Sequence, residues 1–200
     1  NIEWIQFADQ KVATNKLDVV RHFSSSFKNQ KFYNRGNGIY EIETEQGYEN
    51  ISGIPILKFT DQKISAIADI KGVFDQITGL QTDSGEIFRL YNAAFARFPD
   101  SDGLSYWIHK YSSGENDSRS VASSFLISNE FKTLYGDNIS ASTYVNILYN
   151  NVLGRAADAS GLNYWTGQLN HGLETRYEVL LGFSESAENK ALFTNMTGFG

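Results

Sequence analysis

"LYNAAFARFPDSDGLSYW" (90–107) returns 58 positions later as "LYNNVLGRAADASGLNYW" (148–165). The pairing runs without a gap, through Leu90/Leu148, Tyr91/Tyr149, Asn92/Asn150, Arg97/Arg155, Asp100/Asp158, Gly103/Gly161, Leu104/Leu162, Tyr106/Tyr164 and Trp107/Trp165. It continues through Gly114/Gly172, Val121/Val179, Phe125/Phe183, Ser128/Ser186, Glu130/Glu188, Lys132/Lys190 and Leu134/Leu192. Such self-similarity marks an internal duplication, and it outweighs any single motif. Within it Ile87, Leu90, Tyr91, Ala94 and Phe95 follow the i, i+3, i+4, i+7, i+8 stripe of an amphipathic helix. Thr82, Asp83 or Ser84 can cap that helix, and later helical stretches stop at Gly114 and Gly136. Each copy is expected to hold about four short helices, over about 84–140 and 142–196, with the two packed as a pseudo-symmetric pair.

Ahead of the duplication the period is two, not 3.6. "IEWIQFADQKVA" (2–13) returns as "IPILKFTDQKIS" (54–65), aligning Phe7 with Phe59 and Asp9-Gln10-Lys11 with Asp61-Gln62-Lys63. Each copy reads as strand, polar turn, strand, with Pro55 at a strand entry. Between them "FYNRGNGIYEIETEQG" (32–47) predicts a hairpin turning on Arg35-Gly36-Asn37-Gly38, because Gly and Asn tolerate positive φ. In the following strand Tyr40 and Ile42 face the core while Glu41, Glu43 and Glu45 share the other face. Residues 16–27, "KLDVVRHFSSSF", suggest a helix through Leu17, Val20, Phe23 and Phe27. Residues 66–85 either link the halves or complete the first. The fold class is therefore α+β: a small β-rich domain over 1–80, then an all-α domain over 81–200 made of the two repeats.

Hydrophobic content of 41% with 20% charged residues and no long like-charge run describes a folded chain. A net charge of −6 and no basic stripe argue against a nucleic-acid partner. The absence of Cys excludes disulfides, thiolate nucleophiles and Cys-ligated metals. No apolar run is long enough to span a bilayer. "NIEWIQFADQ" carries neither a charged n-region nor a cleavage site, so it is not read as a signal peptide. With no initiator Met, the chain reads as a piece of a longer protein.

The Asp-rich loop 99–107 invites a metal reading with Asp100 and Asp102 as ligands, calcium being the candidate. An EF-hand loop needs Gly at its sixth position and Glu at its twelfth. Here Gly103 follows Asp100 by three, and the twelfth position is Tyr111; in the second copy Asp102 becomes Ser160. What both copies keep is Asp before Gly-Leu-x-Tyr-Trp, which suits an N-cap. Capping is the favoured reading. Trp107 and Trp165 are assigned to the core ahead of sugar stacking. Arg97 and Arg155 are assigned to structural bonds, with helix carbonyls or with Glu130 and Glu188, ahead of an anionic ligand. The carboxylate row at Glu41–Glu45 is read as a solvated face that discourages edge pairing. His22, His109 and His171 have no metal-ligand spacing; Asn50, Asn116, Asn138 and Asn195 head N-x-[ST] triplets. No nucleophile elbow, phosphate loop or dinucleotide fingerprint is present.

The two long phrases, each followed at a fixed distance by "SNE" (128–130) or "SAE" (186–188), resemble a helical module of unassigned function. That module occurs in large secreted bacterial proteins, beside haemolysin-type calcium-binding (RTX) repeats and in surface-layer-like chains. It is also similar to the fold of phycobilisome linker domains. The resemblance covers about 84–195 and implies an extracellular or cell-surface setting, with no catalytic residues to carry over. The expectation is a non-catalytic structural or interaction module, with a protein or surface glycan as partner and self-association as one form of assembly. The alternatives are a carbohydrate-binding module using Trp4 or Tyr rings in 33–48, and an intracellular linker-type scaffold.

Overall fold

The computed structural model describes residues 4–6, 11–13 and 19–200. The fold is α+β, with a small β-rich region leading into helices. Three small sheets open the chain. Strands β1 (Trp4–Gln6) and β2 (Lys11–Ala13) form an antiparallel pair. β3 (Val20–His22) runs parallel to β7 (Ile56–Lys58), which pairs antiparallel with β8 (Lys63–Ser65). Between them lies the meander β4 (Phe32–Asn34), β5 (Tyr40–Thr44) and β6 (Gly47–Asn50). The repeated strand–turn–strand phrase has one register in both copies: Trp4 opposes Ala13, and 52 positions on Ile56 opposes Ser65. Phe7, Asp9 and Gln10 of the first copy lie outside the described residues.

The β4–β5 turn sits where expected, with Gly36, Asn37 and Gly38 at φ of 78°, 52° and 75°. Ile42 is fully buried beneath the meander. Glu45 falls in the turn after β5, so the expected three-carboxylate row is two strand residues and a turn residue. Over the described part of 16–27 the expected helix does not form. Residues 16–18 lie outside the described residues; from Val20 the chain is β3, and Phe27–Asn29 is a single 3-10 turn. Pairing with β7 competes with helix formation there: the Phe23 N–H bonds Lys58 O at 2.8 Å. Asp61, from the repeated Asp-Gln-Lys triplet, then accepts from Ser26 Oγ (2.5 Å) and Phe27 N–H (2.8 Å), fixing the turn that follows.

Residues after β8 turn helical at once: a π-helical turn, Ala66–Lys71, continues into α1 (Gly72–Phe74). This segment buries Ile70, Val73 and Phe74. The duplication follows. Helices α2 (Asp83–Phe95), α3 (Ser101–Ser112), α4 (Ser118–Ile127) and α5 (Asn129–Tyr135) form the first copy. Helices α6 (Ala141–Leu153), α7 (Ala159–Asn170), α8 (Arg176–Ser184) and α9 (Ala187–Thr197) form the second. Shifted by 58, the first two helices of each copy coincide at both ends. All four N-caps are equivalent: Thr82/Ser140, Asp100/Asp158, Asp117/Thr175 and Ser128/Ser186, each accepting a backbone N–H of its first turn.

One core joins the two three-stranded sheets to the helices. Aromatic rings thread it from Phe23 to Phe59 (5.0 Å between centroids), Phe32 (6.4 Å), Phe98 (5.0 Å), Phe88 (6.1 Å) and Phe193 (5.8 Å). Helix α9 closes back on β4, where Arg35 Nη1 donates to Asn195 O at 3.0 Å. Among the described residues no helix is long and apolar enough to cross a membrane.

Candidate functional site

The residues shared by both copies gather at the junction after α2 and its twin after α6. Helix α2 ends on Ala96 in the left-handed region, which turns the chain sharply and aims Arg97 back along the helix. Its guanidinium meets Glu130, in the first turn of α5, as a two-point pair: Nε–Oε1 2.5 Å and Nη2–Oε2 3.0 Å. It also donates to Tyr91 Oη (2.8 Å) and lies over the Tyr91 ring, 5.1 Å from its centroid. Tyr91 in turn donates to Asp100 Oδ2 at 2.9 Å. Asp100 Oδ1 accepts the Gly103 N–H at 2.6 Å and so caps α3. Burial works against ionisation of Asp100, but these hydrogen bonds and the Arg97 charge outweigh it and hold its carboxyl below the ordinary value. Burial likewise opposes the Arg97 charge, and Glu130, Tyr91 and Asp100 together more than restore it.

The twin repeats the Arg–Glu pair, the Arg–Tyr stacking and the Asp cap in a wetter place, without the two hydrogen bonds of the tyrosine hydroxyl. Arg155 pairs Glu188 at 3.1 and 3.2 Å and lies over Tyr149 at 5.0 Å. Asp158 caps α7 through the Gly161 N–H at 2.8 Å. Its carboxyl is held low by the Ser160 hydroxyl, which donates to Oδ1 at 2.6 Å, and by that N–H. Ser160 stands where the first copy has Asp102; it serves the cap, whereas Asp102 is exposed in the first turn of α3. Arg97 and Arg155 thus take the Glu130 and Glu188 partners expected of them. As for a cation at Asp100, both its oxygens accept protein hydrogens and a guanidinium stands 3.5 Å away, surroundings that suit a cap better than a metal. Among the described residues no three His, Asp or Glu side chains stand together as a metal site.

Trp107 and Trp165 are half-buried against the core, edge-on to Phe125 (5.1 Å) and tilted on Phe183 (5.5 Å). Their neighbours Tyr106 and Tyr164 are not: 53% and 57% exposed, each stands edge-on to its Trp. Of the three tyrosines in 33–48, Tyr48 is 52% exposed. Tyr33 is buried, Tyr40 stacks on Phe74, and Tyr48 lies beneath Arg35 at 4.8 Å; the ring of Trp4 lies outside the described residues. On the β5 face Glu41 pairs with Arg35 (2.7 Å) and Glu43 accepts from Tyr33 Oη (2.7 Å).

Sequence reasoning did not single out Arg89. It is 3% exposed, pairs at two points with Glu185 (2.9 and 2.7 Å), donates to Leu80 O and covers the Phe193 ring. This pair ties α2 of one copy to the end of α8 in the other. The repeat could not reveal it, since Arg89 aligns with Ile147 and Glu185 with Ile127.

Residues 122–193 match a family described as a domain of unknown function, DUF4214. The matched stretch begins within α4 and ends within α9, so it straddles the repeat boundary and covers about a third of the chain. No curated protein and no solved structure matches the chain.

Proposed function

We propose that this chain is a non-catalytic structural or interaction module of an exported, cell-surface bacterial protein, serving assembly, attachment or export. The observation that carries this reading is the use made of the charged residues both copies retain. Arg97, Asp100 and Glu130, with Arg155, Asp158 and Glu188, hold helix ends and each other. A general acid or base needs a proton-exchanging position open to substrate, and these groups are engaged within the fold. Resemblance to the helical module of RTX-type and surface-layer-like proteins, with its phycobilisome-linker-like fold, supports the exported setting. The acidic, Cys-free composition agrees with it.

A second reading, glycan binding, draws support from Tyr106 and Tyr164. Large rings more than half exposed at one position in both copies are natural stacking surfaces.

The test is light scattering on the purified chain in millimolar calcium and then in excess chelator, paired with fractionation of cells expressing the native protein. A defined oligomer and recovery outside the cytoplasm are expected. Calcium-dependent growth would bring Asp100, Asp102 and the Glu41–Glu45 carboxylates back as ligands. A cytoplasmic monomer in both buffers would overturn the reading, and a cytoplasmic assembly would favour the linker-type scaffold.

A further inference from the structure

Of the residue pairs retained by the duplication, most have a task inside the fold, Tyr106/Tyr164 and Leu134/Leu192 being exposed. Leu90/Leu148, Val121/Val179 and Phe125/Phe183 lie in or against the core, and the Arg, Asp, Ser and Glu pairs bond helix ends. Asn92 and Asn150 do not fit that account. Among the described residues no hydrogen bond reaches either side-chain amide, and a free Asn inside a helix is a poor helix former. Yet both line the same pocket. It lies where the equivalent helices α2 and α6 end, closed on its other sides by α9 and the approach to β4.

We infer that this pocket binds one neutral sugar unit, held through Asn92 and Asn150. Three features point to that ligand. Its volume of ≈ 280 Å³ falls just under the roughly 300–1,000 Å³ of sites for drug-sized molecules, which suits a single ring. The residues that line it include Asn29, Gln30, Asn92, Asn150, Asn151 and Asn195, with no carboxylate among them, and Gln30 Nε2 is taken up by Ser26 O at 3.0 Å. A carboxamide both donates and accepts, as each sugar hydroxyl does, so the match needs no net charge on the ligand. Some of this set is already committed, which orients it: Asn195 Oδ1 accepts from Arg35 (3.3 Å), and Asn151 Nδ2 bonds Tyr135 Oη (2.6 Å). Finally, Phe98, Val152 and Met196, all buried, give the wall an apolar patch for the C–H face of the ring. The two cations nearby do not call for an anion. Arg97 is paired with Glu130, and Lys31 lies 3.9 Å from Glu43.

This site is separate from the exposed Tyr106 and Tyr164, neither of which lines it. It goes beyond the interaction-module reading, which stands if the pocket proves empty.

The experiment is a titration of the ¹⁵N-labelled chain with methyl glycosides of glucose, galactose, mannose and N-acetylglucosamine, followed by amide NMR shifts. Saturable shifts are expected on the side-chain NH₂ signals of Asn92 and Asn150 and on the backbone of Ala96 and Gly154. Asn92→Ala and Asn150→Ala are each expected to weaken binding about fivefold, the worth of one net hydrogen bond, with melting temperatures no lower than the parent's, since Ala is the better helix former. Shifts confined to Tyr106 and Tyr164 would overturn the assignment in favour of a tyrosine platform. So would binding indifferent to both Asn variants, a response only to an extended peptide, or no saturable shift with any glycoside.

Discussion

Gly161 has no room for a methyl group: a Cβ built there lies 2.0 Å from Tyr149 Oη. In the first copy the equivalent Cβ on Gly103 would meet Asp100 Oδ1 at 2.6 Å. The glycine of the Gly-Leu-x-Tyr-Trp phrase is therefore a matter of close approach, since neither Gly103 nor Gly161 has a positive φ. Ala is the better helix former by about 1 kcal/mol, so propensity and packing make opposite predictions for one substitution. Packing should win. Gly161→Ala is expected to lower the unfolding free energy by about 1–3 kcal/mol, the usual range for overpacking, in urea titrations followed by circular dichroism. A variant as stable as the parent would mean that Tyr149 can move aside. The retention of this glycine is legible in the sequence, but at Gly161 its reason is not, because the obstructing Tyr149 comes from the preceding helix.

Helix starts were the most readable elements, because a cap is a local bond between a side chain and an N–H two or three residues on. Thr82, Asp100, Ser128 and their partners in the second copy all do what their residue types allow. Helix ends are less uniform. The second copy closes α6 with Gly154 at φ 63°, but the first closes α2 with Ala96 at φ 52°. An L-residue there carries a steric cost of about 1–2 kcal/mol, partly offset because Ala restricts the unfolded chain more than Gly. Ala96→Gly is expected to raise stability by about 0.5–1 kcal/mol, read as a higher urea midpoint at unchanged slope. The expected helix over 16–27 failed for the opposite reason. Its spacing was locally acceptable, but Phe23 and its neighbours are bound by a strand more than thirty residues away.

Across the whole molecule the two copies are not equal partners. Leu104 is fully buried on α3, a helix that packs against the π-helical turn and α1, while its counterpart Leu162 is half-exposed on α7, which buries no residue completely. Their ion pairs differ in the same sense. Arg89–Glu185 joins the copies with the guanidinium out of water, whereas Arg155–Glu188 is close to half exposed at both side chains. Removing one member of a buried pair strands the other charge, which costs about 3–5 kcal/mol, while an exposed pair contributes about 0–1 kcal/mol. Glu185→Ala should therefore lower stability by about 3 kcal/mol or more and Glu188→Ala by less than about 1 kcal/mol. Both are read from one set of urea titrations. Equal effects would show that water reaches Arg89.

The fold class, the duplication, the four helices of each copy and the capping role of Asp100 and Asp158 follow from the order of residues. Each depends on a period or on bonds spanning three or four positions, and such patterns survive without knowledge of the rest of the chain. The ring-to-ring core from Phe23 to Phe193, the Arg89–Glu185 tie and the amide-lined pocket had no such signature. Each joins residues distant in sequence, and any of many Phe, Arg or Asn side chains was an equal candidate until the helices had packed. Asn92 and Asn150 were visible as retained residues; that they face one cavity depends on how α2 and α6 meet.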